Sequence, residues 1–321
     1  MPGLYFRPMS QRFLSSAYVL TSALALTAQD AQRLIAQGDS MLSLGKPQKA
    51  VEYFDKAVKA QADARSLAAR ASAWYALDQP GKMLEDLDRA LKLDSISPEA
   101  NYQRALYAMR GQSWTTAEIH ADKAVRHANR EPLRSQALIT RGEARAEMKR
   151  HSTALSDLEE GLRIVPNDAT ALRVLARLYD QTKQFEKALN TLDHLIKLEP
   201  KDMGHLVNKG YELAQLGRHP EALTVYDEAA KFDPEEPVLL SNRAYSLMEL
   251  GRNDEAFKEV KRSLTREPGN PFALRTRAVL WLRKGEREKA CEDLQLSKAI
   301  GPGPEVDALI LEHCGGAAPR R

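Results

Sequence analysis

From about residue 31 onward, apolar and small residues recur on a long beat rather than a short alternation. The stretches "RVLARLYDQTKQFEKALNTLDHLIKLEP", "VNKGYELAQLGRHPEALTVYDEAAKFDP" and "SNRAYSLMELGRNDEAFKEVKRSLTREP" align in a 34-residue register without gaps. Small residues return at Gly38, Ala71, Ala105, Gly142, Ala176, Gly210, Ala244 and Ala278, at intervals of 33, 34, 37, 34, 34, 34 and 34. Twelve positions after each stand Ala50, Met83, Ala117, Ala154, Ala188, Ala222, Ala256 and Ala290. In the later units a proline follows at Pro166, Pro200, Pro234, Pro268 and Pro302.

This pattern predicts a pair of antiparallel helices per unit. A small residue on each helix lets the two backbones approach, and larger residues such as Leu192, Tyr226, Val260 and Leu294 fill the remaining space. Gly217, Gly251 and Gly285 fall where the first helix must end in a left-handed cap, and proline ends the second helix. One such hairpin cannot bury its own apolar face, so the units must stack.

The persistence of this register resembles the tetratricopeptide repeats, with "NRAYSLMELGRNDEA" the closest stretch. The resemblance implies an all-α, right-handed superhelical solenoid of eight repeats, approximately 31–63, 64–97, 98–134, 135–168, 169–202, 203–236, 237–270 and 271–304 within residues 29–304. A capping helix over 305–314 and a disordered tail over 315–321 follow. Departures are local: Met83 replaces alanine, the first three units lack the proline, and three extra residues near Glu131 to Arg134 predict a bend or a longer connection.

The resemblance further implies a non-catalytic scaffold that binds a peptide or helix of a partner protein on the face formed by the first helices. Counting from the small residue gives the groove positions Arg173 and Arg177, Asn208 and Tyr211, Asn242 and Tyr245, and Arg275. Asn offers a donor and an acceptor to an extended backbone, Tyr offers flat area with a polar tip, and Arg pairs with carboxylates. An acidic or C-terminal segment is the expected ligand, with a solvated polar face as the alternative. The family's carboxylate clamp of Lys and Asn is not reproduced, because Arg173 and Arg177 occupy that spacing. The N-terminal groove positions Ile35, Asp39, Ala68, Ser72, Tyr102, Leu106, Ile139 and Glu143 are mixed and more apolar, which suits an amphipathic helix or no specific ligand.

Composition narrows the partners. The chain is 43% hydrophobic and 28% charged, and a net charge of +3 spread along its length provides no basic stripe for nucleic acid. The seven histidines form no HExxH or other ligand-spaced cluster, and neither CxxC nor GxxxxGK occurs. No catalytic residue, metal site or cofactor is therefore expected.

The first residues differ from the rest. "MPGLYFRPMSQRFLSSAYVLTSALALTAQD" carries Arg7 and Arg12, then an uncharged run from Phe13 to Ala28 with small residues at Ala23, Ala25 and Ala28. Residues 1–28 thus read as a secretory signal peptide, too short and too rich in Ser and Thr for a comfortable membrane span. The alternatives are an organelle transit peptide and a retained capping helix.

Both cysteines lie near the C-terminus. Cys291 and Cys314 are symmetric about the "GPGP" turn at 301–304, so in an antiparallel hairpin they lie level. Val306, Ile310 and Cys314 form one helical stripe expected to face Cys291. In an oxidising compartment the pair forms a disulfide; in the cytosol it stays as two buried thiols. The reading is an adaptor in the cell envelope, periplasmic or secreted. An intracellular co-chaperone or assembly factor, and a self-associating homo-oligomer, are the alternatives.

Overall fold

The computed structural model describes residues 12–301 and 303–315, with side chains from Ala28. Residues 1–11 of the expected leader, the side chains of 12–27, Pro302 and residues 316–321 of the expected tail lie outside the described residues.

Among the described residues there are seventeen helices and no strand. They fall into two compact units. The first, reaching Pro166, holds α1 (Arg12–Ser43), α2 (Pro47–Ala60), α3 (Ala64–Ala76), α4 (Pro80–Leu93), α5 (Pro98–Arg110), α6 (Trp114–His127), α7 (Glu131–Glu147) and α8 (His151–Ile164). The second, from Asn167, holds α9 (Ala169–Gln181), α10 (Phe185–Leu198), α11 (Met203–Gln215), α12 (His219–Ala229), α13 (Pro237–Glu249), α14 (Asn253–Arg266), α15 (Pro271–Arg283), α16 (Arg287–Ile300) and α17 (Pro304–His313). Consecutive helices pack as hairpins, each odd-numbered helix through α15 against the even-numbered helix that follows.

Local chemistry marks the helix boundaries. Side chains of Asp63, Ser97, Asp168, Asp202, Glu236 and Asn270 accept backbone N–H groups at the starts of α3, α5, α9, α11, α13 and α15. Second helices α2, α4 and α12 instead carry Pro47, Pro80 and Pro220 at their first or second position, where a missing N–H costs no hydrogen bond. Each first helix ends on a left-handed residue with φ between 53° and 80°: Gly45, Asp78, Gln112, Lys149, Lys183, Gly217, Gly251 and Gly285. At Gly217 the closure is a Schellman motif, with Gly217 N donating to Ala214 O at 3.0 Å and Arg218 N to Leu213 O at 2.9 Å. The glycines signal this cap in sequence; Asp78, Gln112, Lys149 and Lys183 do not.

The extra residues near Glu131, expected to give a bend or a longer connection, do not lengthen the connection. They extend α7 at its N-terminus to 17 residues, against 13 for α5 and α9, and leave residues 128–130 as the link from α6. The third unit therefore ends before Glu131 rather than at 134. A helix absorbs the insertion because "EPLRSQALI" keeps helical apolar spacing, burying Leu133, Ala137 and Leu138.

Inside each hairpin the small residue of the first helix faces the residue sixteen positions on. A Cβ built on Gly38 would lie 2.3 Å from the Phe54 ring, and one on Gly210 would lie 2.2 Å from the Tyr226 ring. Where Leu87, Leu192 or Leu294 holds the larger position, Ala71, Ala176 or Ala278 stands opposite. Phe54 and Tyr226 are fully buried, so glycine is the volume complement of the aromatic ring.

A second periodic feature was not read from the sequence. The residue before the small one is basic in most units and pairs with an aspartate of the preceding hairpin: Arg70 with Asp55 at 2.8 Å, Arg141 with Asp122 at 2.7 Å, Lys209 with Asp193 at 2.7 Å and Arg243 with Asp227 at 2.9 Å. Arg104 pairs with Asp88 in the same way. Arg70, Arg141 and Arg277 also clasp Asp86, Asp157 and Asp293 of their own hairpins through two nitrogens each.

Gly210→Ala should lower stability by about 1–3 kcal/mol through overpacking against Tyr226. Adding Tyr226→Leu, which recreates the Ala176 and Leu192 pairing, should recover most of that loss. Urea unfolding of the four proteins of this cycle checks it; strictly additive losses would contradict volume compensation.

Candidate functional site

In the second unit residues of the first helices α9, α11, α13 and α15 line a trough of about 540 Å³, joined by Leu192 and Leu195 of α10. Five of the seven expected groove residues line it: Arg173 and Arg177 from α9, Asn208 and Tyr211 from α11, and Asn242 from α13. The other two adjoin it. The Arg275 guanidinium lies 5.5 Å from the Tyr245 ring centroid, and Tyr211 feels the charge of Arg275. Asn208, Arg173 and Arg177 are exposed, while Tyr211, Asn242 and Tyr245 are half-buried.

The basic residues have partners inside the unit. Arg173 pairs with Glu199 at 2.9 Å, and Arg275 pairs with Glu305 of α17. A ligand carboxylate at Arg173 must therefore displace or share Glu199.

Sequence reasoning missed the acidic side of the trough, Asp180 and Glu212. Asp180 stands one turn beyond Arg177 on α9. Glu212 is 4% exposed, and its Oε2 meets no hydrogen-bond donor among the described residues. Burial, reinforced by the nearby Asp180 charge, pushes the Glu212 carboxyl up to about 8. Burial also raises Asp180 above the usual carboxylate range. Tyr211 is raised by burial first, then by the Asp180 and Glu212 charges. A signal was present: Glu212 sits in a column where five other units bury Ala73, Ala144, Leu178, Ser246 and Leu280, while Ser40 and Tyr107 hold it unburied in the first and third.

Also missed was a cluster at the start of α11. Glu199, Asp202 and His205 bring one ligand-type atom each within 4.8 Å of one another, and could hold a metal ion. Protein groups already occupy them: His205 Nε2 is 2.7 Å from Glu199 Oε2, which also takes Arg173, while Asp202 accepts from Gly204 N at 2.9 Å as a helix cap.

In the first unit, Ile35, Asp39, Ala68, Ser72 and Tyr102 line one cavity of about 340 Å³, whereas Leu106, Ile139 and Glu143 do not. Arg65, Glu99, Gln103, Arg130 and Gln136 join Ala69, Pro132 and Leu133 in its wall, which adds charged and amide groups to the mixed lining expected.

At the C-terminal end, Val306, Ile310 and Cys314 pack with Ala278, Ala290 and Leu294. The Cys291 and Cys314 sulfurs are 2.09 Å apart, at disulfide distance, with Cα atoms 5.7 Å apart. Among the described residues no helix is long and apolar enough to cross a membrane.

Family models described as tetratricopeptide repeat match residues 35–80 and 145–207, and one described as TPR repeat matches 210–251. The chain is a tetratricopeptide-repeat protein. Its fold is similar to a tetratricopeptide repeat protein from Parabacteroides merdae, at 17% identity over 90% of this chain and 100% of that one, with a TM-score of 0.56. It is also similar to Pseudomonas aeruginosa pilF, at 17% identity over 68% of this chain and 98% of that one, with a TM-score of 0.58. No curated protein matches it in sequence. Tetratricopeptide repeats suggest a protein-interaction scaffold, and the trough is where this one gathers mixed polar, aromatic and charged groups.

Glu212 also gives this tetratricopeptide-repeat protein a testable pH dependence. A carboxyl raised in the fold contributes stability that is fully present below its ordinary value of 4.5 and lost as pH rises through about 8. Glu212→Gln should flatten that limb and be the more stable protein at alkaline pH, by on the order of 2 kcal/mol. Denaturant midpoints across the neutral range measure the difference; parallel pH profiles for the two proteins would contradict it.

Proposed function

We propose that the chain is a non-catalytic adaptor whose C-terminal unit grips an extended segment of a partner protein in the trough lined by α9, α11 and α13. The observation that carries this reading is the convergence of Arg173, Arg177, Asn208, Tyr211 and Asn242 on one cavity. Asn208 and Asn242 hold the same place in successive repeats and offer amide groups to a ligand backbone. Tyr211 supplies area at low entropic cost, and the α9 arginines form an edge for an acidic residue of the segment.

The adaptor works outside the cytosol in this reading. Support comes from the basic, then apolar, then small-residue pattern of residues 1–28 and, independently, from the cysteine pair. A bond between Cys291 and Cys314 pins α17, which covers the last hairpin and has one neighbour, and stabilises by ~3 kcal/mol in the chain-entropy account.

Crosslinking followed by mass spectrometry on native protein should place a partner segment against α11 and α13. Asn208→Ala with Asn242→Ala, or Arg173→Glu with Arg177→Glu, should then weaken capture by about tenfold or more. Capture unchanged in both double variants would remove the trough from the reading.

Export has its own check. Mature protein isolated without reductant should lack residues up to Ala25 or Ala28 by intact mass and show no free thiol. Two free thiols, or a retained N-terminus, would count against it.

A further inference from the structure

The trough carries an acidic feature that an acid-binding edge does not use. We propose that its Glu212 and Asp180 side receives the ammonium group of a lysine in the partner segment, an inference that rests on the peptide-binding reading above.

The central observation is the Glu212 oxygen. Oε2 is buried, without a donor among the described residues, in a side chain that is part of the trough wall. An unmet acceptor of this kind costs the fold free energy, which a ligand donor can offset on arrival. Asp180 lines the same cavity from α9 and adds negative potential at Glu212. Two carboxylates that disfavour one another's charge in a shared, partly dry site are both relieved by one cation.

The cation's chemistry follows from its surroundings. A single buried oxygen suits a compact donor on a flexible stem, whereas a planar guanidinium needs a two-oxygen face. The ring of Tyr211, from the residue next to Glu212, borders the cavity and can face an ammonium group. On the far rim Val238 and Phe272 are 41% and 56% exposed and line the same trough, giving the ligand's alkyl stem or an adjacent apolar residue a place to rest.

Binding is then coupled to protons. The groups around Glu212 are Asp180 on α9, Tyr211 on its own helix, and Tyr226 on α12; Tyr245 on α13 and Arg275 on α15 act on Tyr211. Arg177 and His205 share the cavity. Tyr211, Tyr226 and Tyr245 are all raised above their ordinary range, chiefly by burial, and stay neutral near pH 7. Between Glu212 and these tyrosines, Glu212 is the group that changes charge as pH approaches about 8. An ammonium ligand favours the carboxylate, so seating it releases the Glu212 proton. Affinity for the lysine segment rises with pH up to that point.

The test is selection of binders from a random library of N-acetylated, C-amidated peptides by the full chain and by Glu212→Gln, with retained helicity checked by circular dichroism. The wild type should enrich lysine several-fold over arginine, and the enrichment should vanish in Glu212→Gln while other peptide features persist. Affinity of a selected lysine peptide should climb from slightly acid pH toward pH 8, by at most about tenfold per unit, and stay flat for the variant. Because the termini are blocked, an N-terminal amine cannot substitute for the side chain. Enriched peptides without lysine, or lysine enrichment and pH dependence unaltered by Glu212→Gln, would overturn this inference and leave the peptide trough standing. Failure to select any peptide would overturn both.

Discussion

The close approach of two helices at one small residue per hairpin is the constraint on which the rest of the structure depends. Gly38, Gly142 and Gly210 leave no room for a Cβ without displacing a neighbour, and Ala71, Ala105, Ala244 and Ala278 are fully buried at the same place. Backbone separation in a hairpin is set by the pair of volumes at that crossing rather than by either residue alone. A glycine opposite Tyr226 and an alanine opposite Leu192 produce hairpins that can follow each other without a change of spacing. The left-handed residue that ends each first helix then falls seven positions after the small one, because the helix must turn before its partner starts.

Stacking adds a polar constraint to the apolar one. The position preceding the small residue reaches back to an aspartate of the previous hairpin in five units; Arg70 and Arg141 also hold an aspartate of their own, Asp86 and Asp157, each 3% exposed, and Arg277 holds Asp293 of its own hairpin. Hydrophobic faces alone tolerate sliding by a turn; a two-pronged guanidinium between two carboxylates does not. Such buried pairs contribute little net stability against an apolar alternative, but breaking one partner costs roughly 3–5 kcal/mol. Their value here lies in register, between hairpins that otherwise present similar apolar stripes.

Much of this was legible in the chain. Repeat length, the hairpin and the small-residue register come from local periodicity, which needs no knowledge of distant contacts. Five trough residues were found because they are counted from the same register, Arg173 and Asn242 among them. What escaped detection depends on three dimensions or on tolerated strain. Gln112 and Lys183 occupy left-handed caps without the glycine that would announce them. The three extra residues near Glu131 to Arg134 suggest a bend or a longer connection in sequence, yet an insertion at a helix start can be absorbed as an added turn. The Glu199, Asp202 and His205 grouping spans the link between α10 and α11, where no helical spacing rule applies.

Glu212 shows why an exception within a repeat is informative. At that column the fold asks for a side chain that enters an apolar seam, and Leu178 and Leu280 satisfy it with 1% and 0% exposure. A glutamate there loses hydration and its Oε2 gains no donor among the described residues, so the fold either keeps it protonated or bears a poorly compensated charge. Neither outcome helps a hairpin whose other crossing, Gly210 against Tyr226, is already packed to contact. Local rules are broken at this position without a structural return inside the unit, and the cavity it borders is the one that the groove register identifies on independent grounds. The two lines of reasoning use different residues and different physics, repeat periodicity in one and unmet hydrogen bonding in the other. Their meeting at α11 directs attention to this face of the second unit.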